Sequence, residues 1–268
     1  MKIARVVDAV GNVVWASQEE DGRLLRVEGD PLAGPLTVVQ EEVTPARWLP
    51  PIEPRAILCI GLNYRKHAEE SGASMPEYPV LFMKNAAAAV GHGEPIHIPA
   101  VCQDEVDYEA ELVVVIGTAC RNATIENALD HVLGYTAAND VSARIWQNRL
   151  GGGQWIRGKS FDSFAPMGPL LVTTDEIADP GALAIRSELN GREMQSSNTN
   201  DLIFNVPALI AFLSQDTTLL PGTVILTGTP EGVGWFGDER VTMRPGDEIA
   251  VEIEGIGRLV NPVREAGP

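Results

Sequence analysis

The chain predicts a mixed α/β fold that is predominantly β, and three observations carry that expectation. Apolar and polar residues alternate over short runs such as "KIARVV", "NVVWAS", "LLRVEG", "LTVVQEE" and "DEIAVEIEG", the two-residue period of strands with one buried face. Gly and Pro punctuate these runs, and few stretches carry helical spacing. Strands and helices do not alternate regularly, which favours an irregular mixed-β architecture over a doubly wound parallel sheet.

Residues 1–52 hold the first four of these runs and are expected to form a small β-rich N-terminal domain. "WLPPIEPRA", the densest proline stretch, marks the boundary to a larger unit, 53–268. There "AILCIG" reads as a buried strand and "NYRKHAEES" as the opening of a short helix. "DYEAELVVVIG" reads as one strand in which Asp107, Glu109 and Glu111 share a face with Val113 and Val115. "TIENALDHVLG" is expected to be a helix, with Thr124 as cap, Ile125, Ala128, Leu129, Val132 and Leu133 as its apolar stripe, and Gly134 as its stop. "NVPALIAFLSQ" is expected to be another, with Asn205 at its cap and Pro207 in its first turn. Lys84 in "LFMKN" and Lys159 in "RGKSFD" follow apolar or aromatic approaches, which places both at strand ends. "TVILTG", "DEIAVEIEG" and "GRLVNPV" supply the late strands.

Composition narrows the function. The 268 residues are 44% hydrophobic with a mean hydropathy near zero, which suits a soluble protein with a substantial core. No apolar run approaches the roughly 18 residues of a membrane span. The alternating start "MKIARVVDAVGNVVW" lacks the apolar segment of a secretory signal, so a cytoplasmic location is expected. Cys59, Cys102 and Cys120 show neither disulfide nor zinc spacing. Twenty Lys and Arg against 37 Asp and Glu give a net charge of −17, which argues against nucleic acid and anionic membrane as partners. An anionic substrate would need a local cluster of cations or a metal ion.

Three like charges at alternate strand positions repel, so either that end of the strand is solvated or a cation sits there. Asp140 in "NDVSAR" adds a further carboxylate. Glu109, Glu111 and Asp140 would make an all-oxygen, net-negative site for a hard divalent ion, Mg²⁺, Mn²⁺ or Ca²⁺, with positions left for water and substrate. A solvated acidic edge is the competing reading. His67 and Glu70 lie three apart, on one face of the short helix. A carboxylate that orients an imidazole suits a general base, and a surface His–Glu pair is the alternative. Arg144 and Gln147 could present a guanidinium fork and an amide to a carboxylate. The turn "LTGTPEGVG" offers Thr227, Thr229 and backbone N–H groups for an anion, without the Gly-Lys-Ser/Thr ending of a nucleotide-binding loop.

Taken in order, "GLNYRKHAEE", "DYEAELVVVIG", "NDVSAR", "GKSFDSFAPMGP", "SSNTN" and "VILTGTPEGVG" resemble the fumarylacetoacetate hydrolase family, from about residue 55 to the C-terminus. The resemblance implies a β-sandwich roll, a homodimer, and Mg²⁺ at Glu109, Glu111 and Asp140. It implies that Lys159 stands beside a developing oxyanion and that His67 and Glu70 form a catalytic lid dyad. It also implies substrate contacts from Arg144, Gln147 and Thr229. Lys84 joins that set, although the "NAAAAVG" after it lacks the serines that relatives often carry. Asp107 lies outside the ligand pattern and is expected to be structural.

The implied substrate is a small anionic 2-oxo acid, processed through a metal-bound enolate. Hydrolysis of a C–C bond in an acylpyruvate-type 1,3-diketo acid is the leading expectation. Enol–keto tautomerisation or decarboxylation of oxaloacetate, and isomerisation of a 2-hydroxydiene dioate, are the alternatives. A non-catalytic metal or oxo-acid binding protein on the same scaffold belongs to another class. The presence of His67, Glu70 and Lys159 argues against it, since binding alone needs no base.

Overall fold

Alternation becomes strand pairing in the computed structural model, which describes residues 1–236 and 239–266. The largest sheet has twelve strands. Its main path runs Thr37–Glu42, Leu24–Glu28, Val13–Gln18, Lys2–Asp8, Ala165–Thr173, Val132–Asn139, Ala110–Ile116, Thr223–Leu226, Ala56–Gly61 and Val80–Lys84. The N-terminal strands continue this sheet, with Ile3 opposite Leu171. A five-stranded sheet is built from Arg192–Asn198, Ala184–Leu189, Glu248–Ile253, Gly257–Glu265 and Ile96–Ile98. Its residues Ile185, Val251, Ile253 and Leu259 share one apolar cluster with Leu112, Val114, Tyr135 and Val172 of the large sheet. The architecture is mixed and mostly β, as expected.

The strand Ala110–Ile116 is buried along its whole length. Leu112, Val114 and Ile116 join the cluster just described, while Val113 and Val115 meet Ile57, Cys59, Phe82 and Leu171 on the opposite side. Fully burying such side chains is worth about 1.5–3 kcal/mol each. A one-residue slip would exchange the two faces, so the register is strongly specified. That fixes where Glu111 stands relative to the neighbouring strands, with Ala138 opposite it and Leu226 opposite Val113.

Three local expectations are corrected. Residues 124–134 do not form a helix. Only Ala128–His131 makes a short 3-10 turn, and Val132 already begins a strand. That strand pairs on both sides, with Ala110–Ile116 and Ala165–Thr173, and these ladders override the helical spacing. Ile125 and Leu129 of the expected stripe are 58% and 39% exposed. The acidic strand is also broken: Val106–Asp107 and Ala110–Ile116 are separate, with Tyr108 and Glu109 between them. Asp107 pairs instead with Ser142 in a separate two-stranded ladder. Finally, Lys159 ends a short helix, Ile156–Lys159, whereas Lys84 does end a strand.

The helix Val206–Leu213 forms as expected, and Leu209, Ile210 and Leu213 are buried. The Asn205 side chain accepts the Ala208 N–H at 3.1 Å. Asn205→Ala should therefore lower stability by about 1 kcal/mol, seen as an earlier urea midpoint with an unchanged slope. Among the described residues no helix is long and apolar enough to cross a membrane.

Candidate active site

Strand register places the site. The C-terminal ends of Val132–Asn139 and Thr223–Leu226 flank the N-terminal half of Ala110–Ile116, and Ala56–Gly61 runs parallel beside Thr223–Leu226. There Glu109, Glu111 and Asp140 each present a carboxylate oxygen, all within 4.8 Å of one another, and all three side chains are buried. The acidic end of the strand is thus not a solvated edge.

Buried cations surround these carboxylates unevenly. Lys159 Nζ donates to Glu109 Oε2 at 2.7 Å and to Asp140 Oδ2 at 2.8 Å. Arg144 Nη1 donates to Glu109 Oε1 at 2.6 Å. Burial alone would raise the Glu109 pKa, but Lys159 and Arg144 outweigh it and hold this carboxylate far below the usual range. Burial likewise disfavours the Lys159 ammonium, yet Asp140 and Glu109 keep it charged, with its pKa raised. Among the described residues Glu111 has no such partner. Burial first, then the charges of Asp140 and Glu109, push it well above the ordinary value, against one N–H bond from Gly228 at 2.7 Å.

The structure separates the residues expected to touch substrate. Lys84 does not line the cavity. It lies beneath the carboxylates, its ammonium donating to the carbonyls of Val141, Lys159 and Phe164 at 3.0, 2.6 and 2.7 Å. Arg144 borders the cavity but is held from behind, with Nε and Nη2 donating to Asp107 Oδ2 at 2.9 and 2.6 Å. Its Nη1 also donates to Gln147 Oε1 at 2.9 Å, which leaves the amide nitrogen of this cavity-lining residue as its donor. Asp107 is structural: it accepts the N–H groups of Tyr108, Gly234 and Trp235 as well as Arg144.

The glycine-rich loop does bind anions through its backbone, and those anions belong to the protein. Gly228 N–H serves Glu111, Gly232 N–H serves Glu70, and Gly234 and Trp235 N–H serve Asp107. Gly228 has φ of +106° and a Cβ there would stand 2.7 Å from the Asn63 Cβ, so only glycine can present that N–H to Glu111.

These groups open on a cavity of about 230 Å³ lined by Glu109, Glu111, Lys159, His67, Gln147 and Thr229. His67 Nδ1 is 3.2 Å from Glu70 Oε2, and its ring packs edge-on to Phe236 with centroids 5.8 Å apart. Trp155, Trp235 and Phe236 close the walls, and Trp155 approaches Gly61 so closely that a Cβ would lie 2.2 Å from its ring. Sequence spacing gave no sign of these three aromatics. Each is brought in by a loop or short helix far along the chain.

The donor set suits a hard divalent cation. Four buried carboxyl groups (Asp107, Glu109, Glu111, Asp140) face three buried cations (Lys84, Arg144, Lys159), and Glu111 is the one without a paired cation among the described residues, so its surroundings favour the neutral form. Asp140 is compensated from two sides, its Oδ1 paired with Lys84 Nζ at 2.5 Å and its Oδ2 with Lys159 Nζ at 2.8 Å. A dication among the three oxygens would supply that missing positive charge and favour the ionised form of Glu111.

Residues 56–264 match the family model for the fumarylacetoacetate (FAA) hydrolase C-terminal domain. The chain belongs to the fumarylacetoacetate hydrolase family. Within it, the chain is 50% identical over 214 residues to the oxaloacetate tautomerase fahd2, mitochondrial, of Xenopus laevis, covering 80% of this chain and 67% of that one. The solved 5-carboxymethyl-2-hydroxymuconate delta-isomerase of Mycobacterium smegmatis superposes with a TM-score of 0.86 at 38% identity, over 99% of this chain and 100% of that one. A fumarylacetoacetate hydrolase from Exiguobacterium antarcticum superposes with a TM-score of 0.87 at 36% identity, again over 99% and 100% of the two chains. Family membership therefore spans tautomerase, isomerase and hydrolase names on one scaffold.

Proposed function

We propose that this family member catalyses enol–keto tautomerisation of oxaloacetate or a similarly short 2-oxo dicarboxylic acid, with Mg²⁺ held by Glu109, Glu111 and Asp140. The observation that carries this reading is that one small cavity is lined by Glu109, Glu111, Lys159 and His67, with Asp140 packed directly against the two glutamates. Its volume of about 230 Å³ lies below the roughly 300–1,000 Å³ of sites for drug-sized ligands, which suits a four-carbon acid. The oxaloacetate tautomerase name of the Xenopus relative supports the same choice.

The bound ion would supply Lewis-acid charge to the oxygens of the ligand. The protein's own residues do the rest. Lys159, kept protonated by Asp140 and Glu109, places positive charge where the 2-oxygen becomes an enolate as C3 loses its proton. His67, oriented by Glu70, takes that proton from C3 or returns it. The Gln147 amide and the Thr229 hydroxyl donate to a substrate carboxylate. Trp155, Trp235 and Phe236 keep water from the enolate.

Hydrolysis of an acylpyruvate is the second reading, favoured by the same His67–Glu70 pair, which could activate water. Both are tested by giving the Mg²⁺-loaded enzyme enol-oxaloacetate and an acylpyruvate side by side. Rapid enol–keto exchange with the acylpyruvate left intact is expected, and cleavage without faster exchange would overturn the tautomerase. His67→Ala should slow exchange by about 10²–10⁴-fold while oxalate affinity stays nearly constant.

A further inference from the structure

The run "QSSNTN" has no part in the site as described so far, yet its first residue reaches it. Gln195 is 1% exposed, on the strand Arg192–Asn198. Its Oε1 accepts the Ala110 N–H and the Ser187 hydroxyl, both at 2.9 Å. Its Nε2 donates to Thr229 Oγ1 at 2.8 Å and to the Pro230 carbonyl at 2.9 Å. This amide cannot be turned over, because a backbone N–H can only donate and a carbonyl can only accept.

The orientation of Gln195 determines what Thr229 can do. Thr229 lines the cavity, and its oxygen already accepts a hydrogen bond from the amide. Among the described residues its hydroxyl proton has no acceptor, so that proton is available to a ligand. The same amide grips Ala110, the residue between Glu109 and Glu111, and so sets the spacing between Thr229 and the carboxylate triad. We infer that Gln195 is a positioning residue that fixes Thr229 as a hydrogen-bond donor to an anionic oxygen, such as a carboxylate, of the ligand. The inference rests on reading the cavity as a 2-oxo acid site.

Gln195→Glu preserves the acceptor for Ala110 and Ser187 but puts a second acceptor opposite Thr229. The threonine proton would then turn toward it and away from the cavity. With Mg²⁺ present, KM for oxaloacetate and Kd for oxalate should rise about 10- to 100-fold, the effect of losing one hydrogen bond to a charged group, while kcat falls far less. A carboxylate buried against the Pro230 carbonyl threatens folding, so Thr229 variants carry the same test. Thr229→Val removes the donor and should weaken oxalate as much, and Thr229→Ser restores it. The double variant Gln195→Glu/Thr229→Val should bind oxalate no more weakly than either single one, since both remove one donor. Additive losses, or unchanged KM in Gln195→Glu or Thr229→Val, would overturn the positioning role. Wild-type enzyme that neither binds oxalate nor turns over oxaloacetate would instead overturn the reading of the cavity, and the role of Gln195 with it.

Discussion

Glu111→Gln should abolish turnover while raising the melting temperature of the ion-free protein. Glu111 is buried beside Asp140 and Glu109, so its folded pKa stands well above that of the unfolded chain. Between those two values the folded state holds a proton that the unfolded state has released, and stability falls as pH rises through that window. Glutamine keeps the acceptor for Gly228 N–H and removes that cost, so the variant should melt several degrees higher at neutral pH and lose the advantage at acid pH. Saturating Mg²⁺ or Mn²⁺ should reverse the order, because only the wild type gains the binding free energy of the ion. Turnover should fall by roughly 10³-fold or more, the scale of a lost Lewis acid. Thermal melts with and without the ion, beside a turnover assay, decide it. Full activity in excess chelator, or a variant that melts lower at neutral pH without ion, would contradict the assignment. Glu109 is a poorer probe, since its removal would take one carboxylate partner from Lys159 and one from Arg144 together.

Lys159→Met should damage every reaction that passes through an enolate, whichever substrate is used. Loss of a preorganised positive charge at a developing oxyanion costs about 10²–10³-fold in kcat. The same change leaves Glu109 and Asp140 buried without the ammonium that bridges them, and breaking such a pair typically costs about 3–5 kcal/mol. A divalent ion supplies charge to the same oxygens, so the melting temperature should recover in part with Mn²⁺ while kcat does not. Recovery of kcat along with stability would mean that Lys159 serves only to hold the carboxylates.

Much of the site was legible in the sequence because its chemistry is local. Glu111 shares a face of Ala110–Ile116 with Val113 and Val115, as strand alternation predicts, and Glu109, just before that strand, converges on it. The spacing of His67 and Glu70 on the helix Arg65–Glu70 likewise brings them within 3.2 Å. The rest depends on partners far along the chain. Arg144 read as a fork for substrate because nothing nearby showed that Asp107, from another strand, would hold it. Lys84 read as a substrate contact because its carbonyl partners come from three other segments. Gln195 joins Ala110 to Thr229 and so bridges three distant stretches. The stretch 124–134 failed for the opposite reason: its local helical spacing is real, and two strand ladders outweighed it.

The most direct test is equilibrium binding of Mn²⁺ to chelator-stripped protein, followed calorimetrically for the wild type, Glu111→Gln and Asp140→Asn. The convergence of three buried carboxylates predicts one ion per wild-type chain, bound more tightly when oxalate is present, and a large loss of affinity in both variants. An ion held equally by all three proteins, or none held even with oxalate, would contradict it.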